Sequence, residues 1–342
     1  MPNPAASTVG VEAIRFVDGA LQLLDQRRLP LEERWLHIPD APAAAQAIHD
    51  MVVRGAPAIG ITAAYGLALA ALQGEDRAAA AARLAASRPT AVNLHWALTR
   101  MQGLGAQASP ERLLEEARAI HAEDLAQNLR MATEGVGLIG EGARVLTHCN
   151  TGALATGGHG TALGVIRSAW RAGRLQAVYH TETRPWLQGA RLTAWELASE
   201  GIPATMIADA ACAQLMAEGQ VDWVIVGADR IAANGDTANK IGTRTLAECA
   251  HAYGVGFMVV APSGTIDAQC PDGSRIPIES RSGDELCTLA GHRVAPEGCA
   301  AWNPVFDVTP AARIDAIVCE RGVARPKQGD RASRLLDEAL PG

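Results

Sequence analysis

Aromatic residues are scarce in this chain, where Phe, Trp and Tyr together make up 4% of the 342 residues. Hydrophobic residues as a whole still reach 48%, and charged residues make up 20%. This balance is typical of a globular protein with enough apolar material for a core, so it excludes a disordered chain. The length exceeds the size at which a single core usually stops growing, and the sequence therefore predicts two domains.

The chain also lacks a long apolar segment. Its longest uncharged apolar run, Ala56–Leu72, is shorter than the roughly 20 residues that a helix needs to span a bilayer. The first residues, MPNPAASTVG, do not contain the basic region and apolar core of a signal peptide. We therefore expect a buried helix at residues 56–72, no membrane partner and a cytoplasmic location.

Cysteine motifs and basic clusters are missing as well. None of the seven cysteines forms a Cys-x-x-Cys pair, which excludes the spacing of a zinc knuckle or a redox dithiol and favours free thiols in a reducing compartment. The formal charge of −7 argues against a nucleic-acid partner. No His, Cys and carboxylate residues have the spacing of metal ligands, so no metal is expected.

The hydrophobic pattern changes at about residue 140. Before it, residues 13–29 alternate around Asp18-Gly19, a pair that favours a tight hairpin, and residues 40–140 show helical periodicity. The sequence thus predicts an α/β protein whose first domain, residues 1–140, contains a small sheet followed by helices.

After residue 140, short apolar runs alternate with helical stretches. This alternation predicts right-handed βαβ units, and hence a Rossmann-like, doubly wound parallel sheet over residues 141–342. Ligands of such a sheet bind at the carboxyl ends of its strands. The predicted strands are 144–148, 177–180, 204–207, 223–226 and 256–260, and the predicted helices are 161–172, 189–200, 210–218 and 243–253.

A first polar segment, Thr147–Gly160 (THCNTGALATGGHG), runs from a predicted strand end into a helix. Its glycines and the helix start suit an anion, although the spacing matches neither a P-loop nor the dinucleotide fingerprint. Cys149 is a candidate nucleophile at the strand tip, or else a buried structural cysteine. His148 points away from it in an extended chain, and we interpret His148, His159 and His180 as packed, hydrogen-bonded histidines.

A second segment, Trp223–Thr243, follows an apolar strand with a long polar loop that leads into a helix. Asp229 in this loop is an active-site acid or base, a turn former or a helix cap. Asn239 and Lys240 lie beside the predicted helix start and form a candidate phosphate site, the alternative for Lys240 being a solvated surface lysine.

A third segment, Thr181–Glu196, is another strand end that enters a helix. Gln188 and Gly189 can present a side-chain amide and a backbone N–H to a ligand. Arg184 has two possible partners, Glu182 or an anion.

Two arginines of the first domain are further candidates. Arg54 precedes Gly55, Ala56 and Pro57, where one helix ends and another begins, with Pro57 suited to a first helical turn. Arg88 is a possible third cation, with a surface arginine as the alternative.

Four of these segments closely resemble the methylthioribose-1-phosphate isomerase family. The resemblance extends from about residue 54 to about residue 265, across both predicted domains. The wider superfamily includes ribose-1,5-bisphosphate isomerases and regulatory subunits of a eukaryotic translation-initiation exchange factor. The regulatory subunits share the fold without the chemistry. The matching runs are RGAPAIG (54–60), THCNTGALAT (147–156), TETRPWLQGARLTAWEL (181–197) and GADRIAANGDTANKIGT (227–243).

The resemblance implies a homodimeric enzyme of methionine salvage that converts 5-methylthioribose 1-phosphate to 5-methylthioribulose 1-phosphate without a metal or organic cofactor. Cys149 and Asp229 match the catalytic residues of the family. The residues that match its substrate contacts are Arg54, Gly55, Ala56, Arg88, Gln188, Asn239 and Lys240.

The residue types agree with this chemistry. Opening the sugar ring needs an acid at the ring oxygen, and hydrogen must then move from carbon 2 to carbon 1. A carboxyl in a dry site, its pKa raised by desolvation, can donate and reclaim that proton, which we assign to Asp229, while Cys149 assists the hydrogen shift. Two alternatives stay open: a ribose-1,5-bisphosphate isomerase, which needs a second anion site, and a non-catalytic regulatory subunit, which the presence of both residues disfavours.

Overall fold

The computed structural model describes residues 10–89 and 91–337. It divides into two compact units, one made of the residues up to 129 together with 151–160, the other of residues 130–150 and those from 161 onward. Compared with the predicted boundary at residue 140, this division falls earlier, inside a long helix, and the short segment 151–160 returns to the first unit.

The first unit contains a three-stranded antiparallel sheet and a set of helices, as predicted. Its strands are β1 (Ile14–Val17), β2 (Ala20–Leu24) and β3 (Trp35–Ile38), and its helices are α1 (Ala41–His49), α2 (Ala56–Leu72), α3 (Arg77–Ser87), α4 (Val92–Gln102) and α5 (Pro110–Val136), the last of which continues into the second unit. Asp18 and Gly19 connect β1 to β2 with φ of 52° and 78°, which confirms the predicted hairpin.

Helix α2 is the apolar run that the sequence singled out. Gly55 caps its N-terminus and a proline occupies its first turn, as expected, while buried residues extend from Ala58 to Ala71 without interruption. Among the residues that the structure describes, no helix is both long and apolar enough to cross a membrane.

The second unit contains most of the strands. In chain order they are β4 (Ala143–Thr147), β5 (Leu175–Thr181), β6 (Thr205–Ile207), β7 (Trp223–Val226), β8 (Arg230–Ala232), β9 (Thr237–Lys240), β10 (Gly256–Val260), β11 (Ile266–Asp267), β12 (Thr288–Leu289), β13 (His292–Arg293), β14 (Phe306–Thr309), β15 (Ala316–Cys319) and β16 (Gly322–Ala324). Its helices after α5 are α6 (Ala162–Arg171), α7 (Ala194–Ser199), α8 (Cys212–Ala217), α9 (Thr243–Tyr253) and α10 (Asp284–Cys287). A π-helical turn, Gly189–Thr193, leads into α7.

Seven of these strands form the main sheet, in the order β16-β15-β10-β7-β4-β5-β6. All neighbours are parallel except β15 and β16, so the predicted doubly wound sheet is confirmed. Strand β7 shows why these strands are apolar throughout: Val224 and Val226 pack into one hydrophobic cluster and Ile225 packs into another. Successive side chains of a strand point to opposite faces, so both faces of the sheet are covered.

The strand order reverses between β4 and β7. From β4 the chain runs outward through β5 and β6, and it then returns to place β7 on the other side of β4, with Val145 opposite Trp223. Such a reversal opens a crevice at the carboxyl ends of the two strands, which is where ligands of doubly wound sheets bind.

The prediction of a long polar loop after β7 is wrong in one respect, because this segment contains two strands. Strands β8 and β9 belong to a second sheet, in the order β11-β8-β9-β14. β8 has only three residues and β9 is mostly polar, so neither carries a strand pattern of its own. Antiparallel pairing with β14 holds β9, where Lys240 lies opposite Phe306 and Asn239 opposite Asp307.

Candidate active site

Cys149 lies just beyond the carboxyl end of β4, at the crevice where the strand order reverses. Its side chain is buried, and its φ of 64° is unusual for a residue other than glycine. Two threonine hydroxyls hold this backbone: Cys149 N donates to Thr183 Oγ1 at 2.9 Å, and Thr193 Oγ1 donates to the Cys149 carbonyl oxygen at 2.6 Å. The thiol is therefore presented from a fixed, left-handed turn.

The segment that follows β5 supports this turn. Thr183 is itself left-handed, with a φ of 62°, and the carboxylate of Asp209 accepts hydrogen bonds from its backbone N–H at 2.8 Å and from that of Arg184 at 2.7 Å. A Cβ atom on Gly189 would overlap the carbonyl oxygen of Thr181. Glycine at this position thus lets the start of the π-helical turn approach the strand end.

His148 is a packed, hydrogen-bonded histidine, as predicted. Its Nε2 lies 2.8 Å from the carbonyl oxygen of Ile241 and its Nδ1 lies 2.7 Å from Thr181 Oγ1. Burial lowers the pKa of His148 despite the carbonyl partner, and burial likewise lowers the pKa of His180. His159 is buried too.

Asp229 follows β7, the strand beside β4, so both candidate catalytic residues flank the same crevice of the main sheet. Its backbone N–H donates to the carbonyl oxygen of Ala238 at 2.9 Å, which ties this turn to β9. Its side chain is exposed. The described residues thus leave this carboxyl open to solvent, whereas the sequence-based hypothesis expects it in dry surroundings.

Asn239 and Lys240 end strand β9 beside the start of α9, as their predicted role as a phosphate site requires. Asn239 is buried and its Nδ2 donates to Thr243 Oγ1 at 3.0 Å, while Lys240 is half-buried with Nζ near the Phe306 ring. The carboxylate of Asp307 accepts from the first backbone N–H groups around α9, and burial raises its pKa to about 6.

A cleft of the second unit brings two of the predicted substrate contacts together, Gln188 and Lys240. Gln188 is buried, and within residues 10–89 and 91–337 its Oε1 has no hydrogen-bond partner. A buried amide oxygen of this kind is costly unless something binds to it. The lining residues are Pro185, Trp186, Gln188, Lys240, Ile241, Arg281, Glu285, Asn303 and Val305.

Arg281 is a cation of this cleft that sequence reasoning missed. It is engaged by two carboxylates, with Nε 3.0 Å from Glu279 Oε1 and a terminal nitrogen 3.8 Å from Glu285 Oε1. Of the two partners predicted for Arg184, Glu182 does not pair with it among the described residues. The Arg184 guanidinium instead donates to backbone carbonyls, including that of Leu286 at 3.1 Å, and a bound anion stays a prediction.

The remaining candidates lie in the first unit. Arg54 is half-buried and immediately precedes the cap of α2, and Arg88 is half-buried at the end of α3. Gly55 has a φ of 93°, and a Cβ atom there would lie 2.5 Å from the carbonyl oxygen of Ala155. The RGA run is therefore packed closely against the segment 151–160, and only glycine fits at its centre.

The seven cysteines are free thiols. Over the described ranges, which omit residues 1–9, 90 and 338–342, no group of three or more His, Cys, Asp or Glu side chains is arranged to hold a metal ion.

Several residues of the site had little or no sequence signal. Thr183 and Thr193 lie within the TETRPWLQGARLT run, but threonine at a strand end has no distinctive spacing. Arg281 and Asp307 come from a later part of the chain and reach the site only through tertiary structure. The repeated Thr-x-Thr of TETR, directly after an apolar strand, was the one local hint.

Comparison with known proteins shows which family the chain matches. The initiation factor 2 subunit family matches residues 52–326. Methylthioribose-1-phosphate isomerase of Alkalilimnicola ehrlichii is 61% identical over 96% of this chain and 98% of its own. The crystal structure of 5-methylthioribose 1-phosphate isomerase from Pyrococcus horikoshii is 41% identical, with a TM-score of 0.90 over 98% of this chain and 97% of its own. A structure named as the delta subunit of translation initiation factor eIF-2B from A. fulgidus is 38% identical, with a TM-score of 0.86 over 96% and 99% of the two chains.

The chain belongs to the initiation factor 2 subunit family and, within it, to the methylthioribose-1-phosphate isomerases. The resemblance carried by the four sequence segments is thereby confirmed. These relatives match the chain over nearly its whole length.

Proposed function

We propose that this chain is an aldose–ketose isomerase that converts 5-methylthioribose 1-phosphate to 5-methylthioribulose 1-phosphate, a step of methionine salvage. The observation that carries the proposal is the position of Cys149 and Asp229, which follow the two strands at the reversal of the main sheet. A crevice of this type binds the ligand in doubly wound folds, so both groups are within its reach.

Asp229 supplies the proton chemistry in this proposal. The phosphate on the anomeric oxygen prevents spontaneous ring opening, so an acid must protonate the ring oxygen, and a carboxyl group is suited to that role. Because the Asp229 side chain is exposed, bound substrate itself must exclude water from it for the proton transfer. Cys149, held in its left-handed turn, assists the transfer of hydrogen from carbon 2 to carbon 1.

The other matched residues bind the substrate. Lys240 and Asn239 offer an ammonium and an amide beside the start of α9, and Gln188 offers a buried amide to the same cleft. These groups orient the sugar phosphate so that its reacting carbons meet the catalytic residues. From the first unit, the proposed contacts are Arg54, Gly55, Ala56 and Arg88.

The deciding experiment incubates the purified chain with 5-methylthioribose 1-phosphate and follows formation of the ketose by proton NMR. We expect turnover by the wild-type chain and at least a hundredfold less by Cys149→Ala, the scale of a positioned proton-transfer group. A folded wild-type chain that forms no ketose would instead indicate a regulatory subunit of the same fold.

One observation favours a second substrate, ribose 1,5-bisphosphate. Arg281 adds a second cation to the cleft of Lys240, and a bisphosphate needs two anion sites. Glu279 and Glu285 offset this charge, however, so the methylthio substrate is the better candidate.

We further propose that the enzyme acts in the cytoplasm as a homodimer and requires no metal or organic cofactor. The free thiols of Cys149 and its six counterparts suit a reducing compartment. Sedimentation of the purified chain tests the dimer, since a species of one-chain mass at micromolar concentration contradicts it.

A further inference from the structure

A hydrogen-bond relay through Thr183, Thr181 and His148 leads away from the backbone of Cys149. Cys149 N lies 2.9 Å from Thr183 Oγ1, which lies 2.9 Å from Thr181 Oγ1. Thr181 Oγ1 lies 2.7 Å from His148 Nδ1, and His148 Nε2 lies 2.8 Å from the carbonyl oxygen of Ile241. All of these side chains are buried. The relay thus ends on the carbonyl of Ile241, the residue that follows Lys240.

The groups at the two ends of the relay determine which atom donates at each hydrogen bond. A carbonyl oxygen accepts only, so His148 Nε2 carries the proton that bonds Ile241, and in the neutral ring Nδ1 is an acceptor. The Thr181 hydroxyl must then donate to His148, and the Thr183 hydroxyl must donate to Thr181. At the other end the Cys149 amide can only donate. Each hydroxyl therefore donates once and accepts once, and every donor of the relay faces an acceptor.

Local backbone geometry explains why Cys149 needs this support. Its φ of 64° is disfavoured for a side chain with a Cβ atom, so without the two threonine hydroxyls the turn can relax and move the thiol. Gly242 leaves room for the relay, since a Cβ atom there would lie 3.0 Å from Cε1 of the His148 ring.

We propose that Thr183 is a positioning residue for Cys149, and that the relay through Thr181 and His148 fixes the Cys149 turn relative to the Lys240–Ile241 backbone. The inference rests on the proposed function in that Cys149 acts on the substrate. Substrate binding at Lys240 and the placement of the thiol are then parts of one rigid arrangement.

The test compares Thr183→Val, which keeps the shape but removes the hydroxyl, with Thr183→Ser, which restores it. We expect Thr183→Val to lower kcat at least about tenfold while KM changes less than about threefold, because a small misplacement of a reacting group is costly. Thr183→Ser should recover most of the loss. Thr62→Val is the matched control: Thr62 is another buried threonine, but its hydroxyl bonds only its own helix at Ala58, as far as the described bonds go.

A second readout does not depend on turnover. The alkylation rate of Cys149 by iodoacetamide, measured by peptide mass analysis, should change severalfold in Thr183→Val, while that of buried Cys212 stays as in the wild type. Thr193→Val tests the same hold from the carbonyl side and replaces Thr183→Val if the latter does not fold. A folded Thr183→Val or Thr193→Val enzyme with kcat within twofold of wild type and unchanged alkylation overturns the proposal. Failure of the proposed function itself would be distinguishable, because the wild type would then be inactive or Cys149→Ala would stay active.

Discussion

The Nζ atom of Lys240 lies 4.7 Å from the centre of the Phe306 ring. The two residues are directly opposite in the antiparallel pairing of β9 with β14. An ammonium over an aromatic face is attracted by the ring without losing its charge. The contact therefore limits where Lys240 can point before any phosphate binds.

Removing the Lys240 cation should lower kcat/KM for the sugar phosphate. Lys240→Ala deletes a charge-assisted contact worth about 1.5–3 kcal/mol, so kcat/KM should fall at least tenfold, and Arg54→Ala should act likewise. Lys327 is the matched control, since it is the other lysine of the sequence and pairs with Asp315 at 2.9 Å. Equal kcat/KM for Lys240→Ala and Lys327→Ala would mean that Lys240 does not hold the phosphate.

Replacing either catalytic residue should abolish most turnover while the fold is kept. We expect Cys149→Ala and Asp229→Asn each to lower kcat at least about a hundredfold. Circular dichroism and thermal melting should stay near wild type for Asp229→Asn in particular, because its side chain is exposed. Near-normal turnover of either folded variant would falsify the assignment.

Activity should not depend on a metal ion. We expect the enzyme to keep its turnover after extensive dialysis against a chelator, measured with and without added divalent ions. A loss that one particular ion reverses would reopen the role of His148, His159 and His180 as ligands.

Substrate preference should follow the charge of the cleft. An apolar wall suits a methylthio group, whereas a second phosphate that is buried without a partner is heavily penalised. We expect kcat/KM for 5-methylthioribose 1-phosphate to exceed that for ribose 1,5-bisphosphate by well over tenfold, as discrimination is a difference in transition-state binding. Equal or reversed values would assign the chain to the bisphosphate isomerases without changing the roles of Cys149 and Asp229.

The raised pKa of Asp307 predicts a pH-dependent stability. Burial raises the pKa of this carboxyl from 3.8 to about 6 in the folded chain. Between these values the folded chain binds more protons than the unfolded chain, so the contribution of Asp307 to stability is lost as the pH rises through this window. Asp307→Asn cannot ionise and should escape the loss.

Urea unfolding at two pH values measures this effect. From about pH 4 to about pH 7 the free energy of unfolding of Asp307→Asn should rise relative to wild type by about 1–2 kcal/mol. Comparing the two proteins at each pH cancels the other titrating groups. A constant difference across the range would mean that the carboxylate is fully stabilised by the N–H groups of Gly242 and Arg244.

The main sheet could be predicted from the sequence because its strands are buried on both faces. The bounds of β7 and β10 agree with the predicted 223–226 and 256–260, since each is an unbroken apolar run between polar turns. Strands β8 and β9 were missed because RIA is only three residues long and TANK is mostly polar, and because β9 depends on β14, far along the chain.

The candidate site shows the same limit. Cys149 could be found at a strand tip, but nothing local announces its left-handed backbone or the hydroxyls of Thr183 and Thr193 that hold it. Exposure of Asp229 is likewise set by what surrounds the turn after β7 and not by its own sequence. Such properties arise from packing between segments that lie apart in the chain.

The reversal of strand order between β4 and β7 has a consequence for how activity is acquired. Cys149 follows β4 and Asp229 follows β7, and the chain between them contains β5, β6 and the intervening helices. Contacts between such distant segments close large loops and form slowly compared with local structure. During refolding, helical content should thus return before turnover does, and a chain cut between β6 and β7 recovers its catalytic pair only when the two fragments reassociate.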